Sequence, residues 1–121
     1  MAYNVAVLGA SSNPERYSYK AVMLLKEYNY PVFPVHPSQK PIEGIKCYAS
    51  LSSIGEKIDT ITVYLGEKNS TPLIDEIISI NPRRIILNPG AESKELKDKC
   101  EAAGIEVMEA CTLVLLRTDQ F

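Results

Sequence analysis

At 121 residues, 45% hydrophobic and 23% charged, the chain is long enough for one domain with a real core and ordinary in polarity for a globular protein. A formal net charge of -2 argues against the basic face that nucleic acid or an anionic membrane surface would require. Three widely spaced cysteines, Cys47, Cys100 and Cys111, form neither a disulfide framework nor a CxxC metal pair. No apolar run approaches the roughly 20 residues of a membrane span. No signal peptide is visible at Met1-Ala2-Tyr3, so the cytoplasm is the expected compartment.

Tyr3 to Leu8 is apolar and rich in β-branched residues, and reads as a buried first strand. Gly9-Ala10-Ser11-Ser12-Asn13-Pro14 follows as a small-residue turn. The next helix starts in one of two ways. Asn13 caps it with Pro14 in its first turn, or Ser18 caps a delayed start and Pro14-Glu15-Arg16 is an isolated turn. Its core stripe is Val22, Leu25 and Tyr28, with Met23 and Leu24 beside it, and Asn29 ends it in the left-handed region. Pro31 to Val35 is a second strand, in which Pro34 must place its missing N–H where no ladder bond is needed.

His36 to Gly44 is a turn-rich loop, and Leu51 to Ile54 suits a single helical turn. Asp59 to Leu65 is the third strand. Thr71 caps a helix that begins at Pro72 and buries Leu73, Ile74, Ile77 and Ile78, and Pro82 ends it. Arg84 to Leu87 is the fourth strand. Ser93 caps a helix with the stripe Leu96, Cys100 and Ala103, stopped by Gly104. Ile105 to Val107 is a fifth strand, and Ala110 to Leu116 leans to a short C-terminal helix. Neither a repeat nor a domain boundary is evident.

Strands alternating with helices of about ten residues imply right-handed βαβ units and a parallel sheet. The expectation is an α/β three-layer sandwich with five parallel strands in the order 3-2-1-4-5. Its reversal point, where ligands bind at the strands' C-terminal ends, then lies between the first and fourth strands. That sets the Gly9–Asn13 and Asn88–Ala91 loops on either side of one crevice, which the loops after Val35 and Tyr64 extend.

A strand, a glycine turn and a helix N-terminus together make a phosphate-holding layout. Gly9 permits a tight turn and close approach, Ser11 and Ser12 add hydroxyl donors, and the helix points unpaired N–H groups back at the turn. A capped turn with no ligand is the plainer reading of the same stretch. The dinucleotide fingerprint GxGxxG is absent. His36-Pro37 stands where an acid would hold the ribose of NAD, and there is no Walker lysine motif. His36, the only histidine, cannot build a histidine metal site. A Ser11–His36 dyad ranks below Ser11 donating to a phosphate while His36 lies against a ligand or shapes its loop. Arg16 sits where a guanidinium reaches back to an anion in the loop, or else is a solvated surface charge, and Lys40 carries the same two readings.

Gly9-Ala10-Ser11, Asn13-Pro14, Arg16 and Ser18-Tyr19 resemble the first loop of the small standalone CoA-binding domain proteins. Val35-His36-Pro37, Tyr48-Ala49-Ser50-Leu51, Ile58-Asp59, Asn88-Pro89-Gly90-Ala91-Glu92-Ser93 and Cys111 resemble that family's later motifs in order. The match is similar also to the CoA-binding part of the succinyl-CoA synthetase α subunit, whose phosphohistidine segment has no counterpart here. The family's second-strand loop commonly reads Asn-Pro where this chain has His36-Pro37. The resemblance implies a Rossmann-like domain over residues 1–121 that binds coenzyme A or an acyl-CoA. By the same resemblance the first loop (Gly9, Ala10, Ser11, Ser12, with Arg16 and Ser18) holds the diphosphate. Val35, His36, Pro37 and Lys40, with Tyr64 and Leu65, flank the adenosine, and Asn88, Pro89, Gly90 and Ala91 border the pantetheine. The leading reading is a binding module for a small-molecule CoA ligand, without catalysis of its own. The alternative is a small NADP-linked oxidoreductase, or a CoA-dependent transferase working with a protein partner.

Overall fold

The computed structural model describes residues 3–121, so the Met1-Ala2 start on which the compartment expectation leans lies outside the described residues. Five short parallel strands, β1 (Val5–Leu8), β2 (Val32–Val35), β3 (Thr60–Val63), β4 (Arg84–Leu87) and β5 (Glu106–Glu109), form one sheet. β1 and β3 are buried at every position, as expected of apolar, β-branched runs covered on both faces. β5 carries exposed glutamates at both ends, which suits an edge.

The strand order is 2-1-3-4-5, not 3-2-1-4-5. β3 lies beside β1, so the reversal point falls between β1 and β3 rather than between the first and fourth strands. Pro34 supplies the physical reason. The Pro31 and Val35 carbonyls face β1, accepting from Val5 N–H (3.0 Å) and from Gly9 and Ala10 N–H (3.1 Å each). Pro34 faces the other way, where its carbonyl accepts from Tyr48 N–H at 2.8 Å. A full strand on that side would need an N–H that Pro34 lacks. A single bridge to Tyr48 covers the edge instead.

Right-handed crossovers then sort the helices. α1 (Tyr17–Glu27) carries the chain from β1 outward to β2 and covers one face. Leu25 and Val22 pack there on Val5 and Val7, joined by Leu116 of α5 (Thr112–Arg117). The return crossovers use the opposite face: a 3-10 turn at Leu51–Ser53, the helices α2 (Glu67–Ser70) and α3 (Ile74–Ile80), and α4 (Lys94–Ala102). Their Leu51, Ile77, Leu96 and Cys100 pack with Ala6, Leu8, Ile61 and Ile85.

Local chemistry explains the boundaries. α1 starts late, at Tyr17, but Ser18 lies inside it rather than capping it: Arg16 stands at the N-cap, and Asn13 organises the turn before it. Asn29 (φ 67°) and Asn81 (φ 56°) close helices in the left-handed region. Ser93 Oγ accepts from Leu96 N–H at 3.2 Å and opens α4. The helix expected to begin at Pro72 instead begins at Glu67, because the Thr71 hydroxyl donates back to the Glu67 carbonyl (2.8 Å) rather than capping forward. The helical path then runs through a 3-10 turn at Thr71–Leu73 into α3. Tyr28 and Ala103, placed on core stripes, are helix caps and exposed. Among the described residues no helix is long and apolar enough to cross a membrane.

Ile85 is fully buried in the middle of β4. Ile85→Ala is expected to lower unfolding stability by about 2–5 kcal/mol, read as a lower urea midpoint with an unchanged slope.

Candidate functional site

The C-terminal ends of the strands carry the site. At the end of β1 the chain turns through Gly9 with φ +90°, a conformation L side chains rarely adopt. A Cβ on Gly9 would stand 2.9 Å from Leu65 Cδ2 and 3.3 Å from the Leu65 backbone nitrogen, so any side chain here would press on the loop after β3. The Gly9 and Ala10 N–H groups both donate to the Val35 carbonyl and are not free for a ligand. The donors left to the loop belong to Ser11 and Ser12. Ser11 Oγ accepts from Asn13 N–H (3.0 Å) and Asn13 Oδ1 from Glu15 N–H (3.0 Å), a pair of tight turns that delivers the chain to α1. No side chain caps α1. Its first-turn N–H groups have no intrahelical acceptor, and the positive end of its dipole lies at the cleft.

A cleft of about 540 Å³ opens there between the Gly9–Ser11 loop, the Glu15–Ser18 turn, His36, Tyr64–Gly66, Asn69 and Pro89. Three smaller cavities adjoin it through shared residues. The first, about 360 Å³ and mainly apolar, is walled by Leu8, Val35, His36, Pro37, Leu51 and Leu65. Glu76 of α3 lines it and anchors its floor, accepting from the Ser52 hydroxyl (2.6 Å) and N–H (3.0 Å). The second, about 100 Å³, is polar, with Ser11, Ser12, His36, Ser38 and Lys40 over buried Ile42 and Cys47. The third, about 280 Å³, lies between Tyr17, Tyr64, Asn88, Pro89, Cys111 and Leu113.

Asn88 holds the far side together. Its buried amide donates to Thr62 Oγ1 (2.7 Å) and to the Val63 carbonyl (2.9 Å), and its Oδ1 accepts from Thr112 N–H (2.8 Å). Thr62 and Thr112 hydroxyls share a further bond of 2.7 Å. One side chain therefore ties β3, the end of β4 and the start of α5. Beside it the Tyr64 hydroxyl oxygen is buried with no hydrogen-bond partner among the described residues. Burial pushes its pKa from 10.0 up to about 12, against a smaller opposing pull from the nearby Thr112 and Thr62 hydroxyls.

Of the residues singled out in the sequence, Gly9, Ala10, Ser11, Arg16, Ser18, His36, Tyr64, Leu65 and Pro89 meet in the main cleft. Val35 and Pro37 wall the apolar cavity, and Ser12 and Lys40 the polar one. Asn88 lines the third cavity while acting as a buried tie. Ala91 packs into the core and Gly90 turns the loop with φ +93°. Tyr17, 68% exposed, lines two cavities, and Ala49, seen in the sequence only as part of a family motif, lines the apolar one, while sequence reasoning passed over Asn69 and Glu76. Gly66 followed by acidic Glu67 is a helix-start signal that would have brought Asn69 to the cleft.

The raised Tyr64 pKa makes a pH prediction. The folded state holds this proton more tightly than the unfolded one, so Tyr64 leaves stability untouched below about pH 10. It lowers stability by up to about 2–3 kcal/mol as pH rises toward 12. Denaturant unfolding across that range should show a steeper loss in the parent protein than in Tyr64→Phe.

Comparison with known proteins agrees with this geometry. The family model described as "CoA binding domain" matches residues 3–117. An ADP-forming acetate–CoA ligase of Methanocaldococcus jannaschii is 33% identical over 60 residues, 50% of this chain and 8% of the ligase. The α subunit of an ADP-forming acetate–CoA ligase II from Pyrococcus furiosus is 32% identical over 65 residues, 53% of this chain and 14% of the subunit. The chain thus matches only a small part of these two relatives. A crystal structure of an uncharacterized protein superposes with a TM-score of 0.93 at 32% identity, covering 100% of this chain and 99% of the other. With the sheet, the reversal point and the glycine turn in place, and with that match over nearly its whole length, the chain belongs to the CoA-binding domain family.

Proposed function

We propose that the chain, as one domain over residues 1–121, binds coenzyme A or an acyl-CoA and itself makes or breaks no bond. The observation that carries this is the uncapped first turn of α1 facing the Gly9–Ser11 loop across the main cleft. Family membership names the ligand class. In this reading Ser11, Ser12, the α1 amides and Arg16 take the diphosphate. The apolar cavity beside Val35, Pro37 and Leu65 takes the adenine. The pantetheine arm runs past Tyr64 and Asn88-Pro89 toward the cavity that holds half-buried Cys111.

The side chains around the cleft support binding without chemistry. The Tyr64 phenol is buried and held protonated, so it makes a poor base near neutral pH. His36 Nδ1 accepts from the Ser38 N–H and Ser11 Oγ from the Asn13 backbone N–H, and among the described residues no hydrogen bond joins Ser11 to His36. A partner chain would have to supply any bond-making step.

Titration calorimetry tests the reading. Saturable heat with CoA is expected, and heat from NAD or NADP with none from CoA would reverse it. A charge-assisted bond to phosphate is worth about 1.5–3 kcal/mol, so Arg16→Ala should weaken CoA binding roughly ten- to a hundredfold. A variant that folds and binds like the parent would reduce Arg16 to a surface charge.

A further inference from the structure

The third cavity, about 280 Å³, is walled by Tyr17, Tyr64, Asn88, Pro89, Cys111 and Leu113, and it shares Tyr17, Tyr64 and Pro89 with the main cleft. None of the six is a lysine, arginine, histidine or carboxylate. Asn88 is polar but spent. Its amide donates to Thr62 Oγ1 and the Val63 carbonyl, and its Oδ1 accepts from Thr112 N–H. The Tyr64 oxygen is buried and burial holds its proton in place, so it supplies no charge. What the walls offer is the tyrosine rings, the Pro89 ring, Leu113 and the small polarizable Cys111. Tyr17 is 68% exposed, so its ring has apolar surface left to cover. Lys20 Nζ lies 5.2 Å over that ring, outside the lining. Asn88 also ties β3, β4 and α5, which holds the walls at a fixed spacing and gives the cavity a set size.

We propose that this cavity receives the acyl group of a short, uncharged acyl-CoA, so that the preferred ligand is a thioester rather than free CoA. The inference rests on the proposed CoA reading of the cleft. At about 30 Å³ for each water-sized group, 280 Å³ holds roughly nine of them. The two methylenes and the sulfur that end the pantetheine arm account for about three, which leaves room for an acyl chain of about four carbons. A bare thiol would leave most of the apolar wall uncovered. Each methylene buried against that wall should tighten binding about fourfold. A chain ending in a carboxylate gains nothing there, because a charge would leave water without a cation or a free donor to receive it.

Titration calorimetry on the intact protein compares CoA with acetyl-, butanoyl-, hexanoyl- and succinyl-CoA. Butanoyl-CoA should bind roughly ten- to twentyfold tighter than acetyl-CoA, from its two extra methylenes. Hexanoyl-CoA should bind no tighter than butanoyl-CoA, because the cavity is full, and succinyl-CoA no tighter than CoA. Leu113→Ala enlarges the cavity and should move the best chain to about six carbons, so that hexanoyl-CoA overtakes butanoyl-CoA. Should that variant fail to fold, Cys111→Met at the half-buried wall narrows the cavity instead and should erase the advantage of butanoyl- over acetyl-CoA. Affinities within threefold across CoA and the uncharged series would overturn the proposal while leaving CoA binding intact. So would succinyl-CoA binding as tightly as butanoyl-CoA, or a preferred chain length that stays put in every variant that folds. Absence of binding by CoA and all four thioesters would overturn the CoA reading and this inference with it.

Discussion

Along a strand, the N–H and C=O of one residue point to the same side, so a proline disables one side and leaves the other whole. In β2 the intact side is the one that meets β1, through the carbonyls of Pro31 and Val35, and Pro34 faces outward. β2 can therefore only be an edge. β3 has one place left beside β1, and the crossovers to either side must use opposite faces of the sheet. The reversal between β1 and β3 follows, and with it the crevice where Gly9 meets Leu65. The same carbonyl of Val35 that closes the ladder also takes the first two amides of the glycine turn. Sheet edge and ligand loop are thus one construction.

That construction decides which groups remain for a ligand. The turn's own amides are consumed in holding its shape. The free donors come from Ser11, Ser12 and the open end of α1, with Arg16 as the cation. Glu15 lies on the same rim, so the cleft is not uniformly positive. In the proposed reading an anion there is held more by oriented N–H groups than by net charge, in keeping with a chain whose formal charge is -2.

What was legible in the sequence was local. β4 over Arg84–Leu87, the Ser93 cap, the left-handed Asn29 and the single helical turn at Leu51 are each decided by a few neighbouring residues. The loops that line the cleft were legible too, because they follow strands and strand C-termini converge at a reversal point. The strand order was not, although its determinant, Pro34, was in plain view. A missing donor says where a strand cannot pair, and only the handedness of the crossovers says what pairs elsewhere. The Glu67 start was hidden because a threonine hydroxyl can bond forward as a cap or backward to a carbonyl, and Thr71 does the latter. Asn69, Ala49 and Glu76 reach the cavities through contacts distant in sequence, with Glu76 clasping Ser52 24 positions away.

Asn88 has a further consequence, in the chemistry of ageing. An aspartate in its place would have no donor for Thr62 Oγ1 or the Val63 carbonyl, and would bring a charge into a site that is 1% exposed. Asparagines turn into aspartate over time when the next residue's backbone nitrogen attacks the side-chain amide and closes an imide ring. The next residue here is Pro89, whose nitrogen has no hydrogen to lose. The proline that lines the cleft thereby also shields the neighbouring amide, and with it the tie between β3, β4 and α5, from the usual route of spontaneous decay.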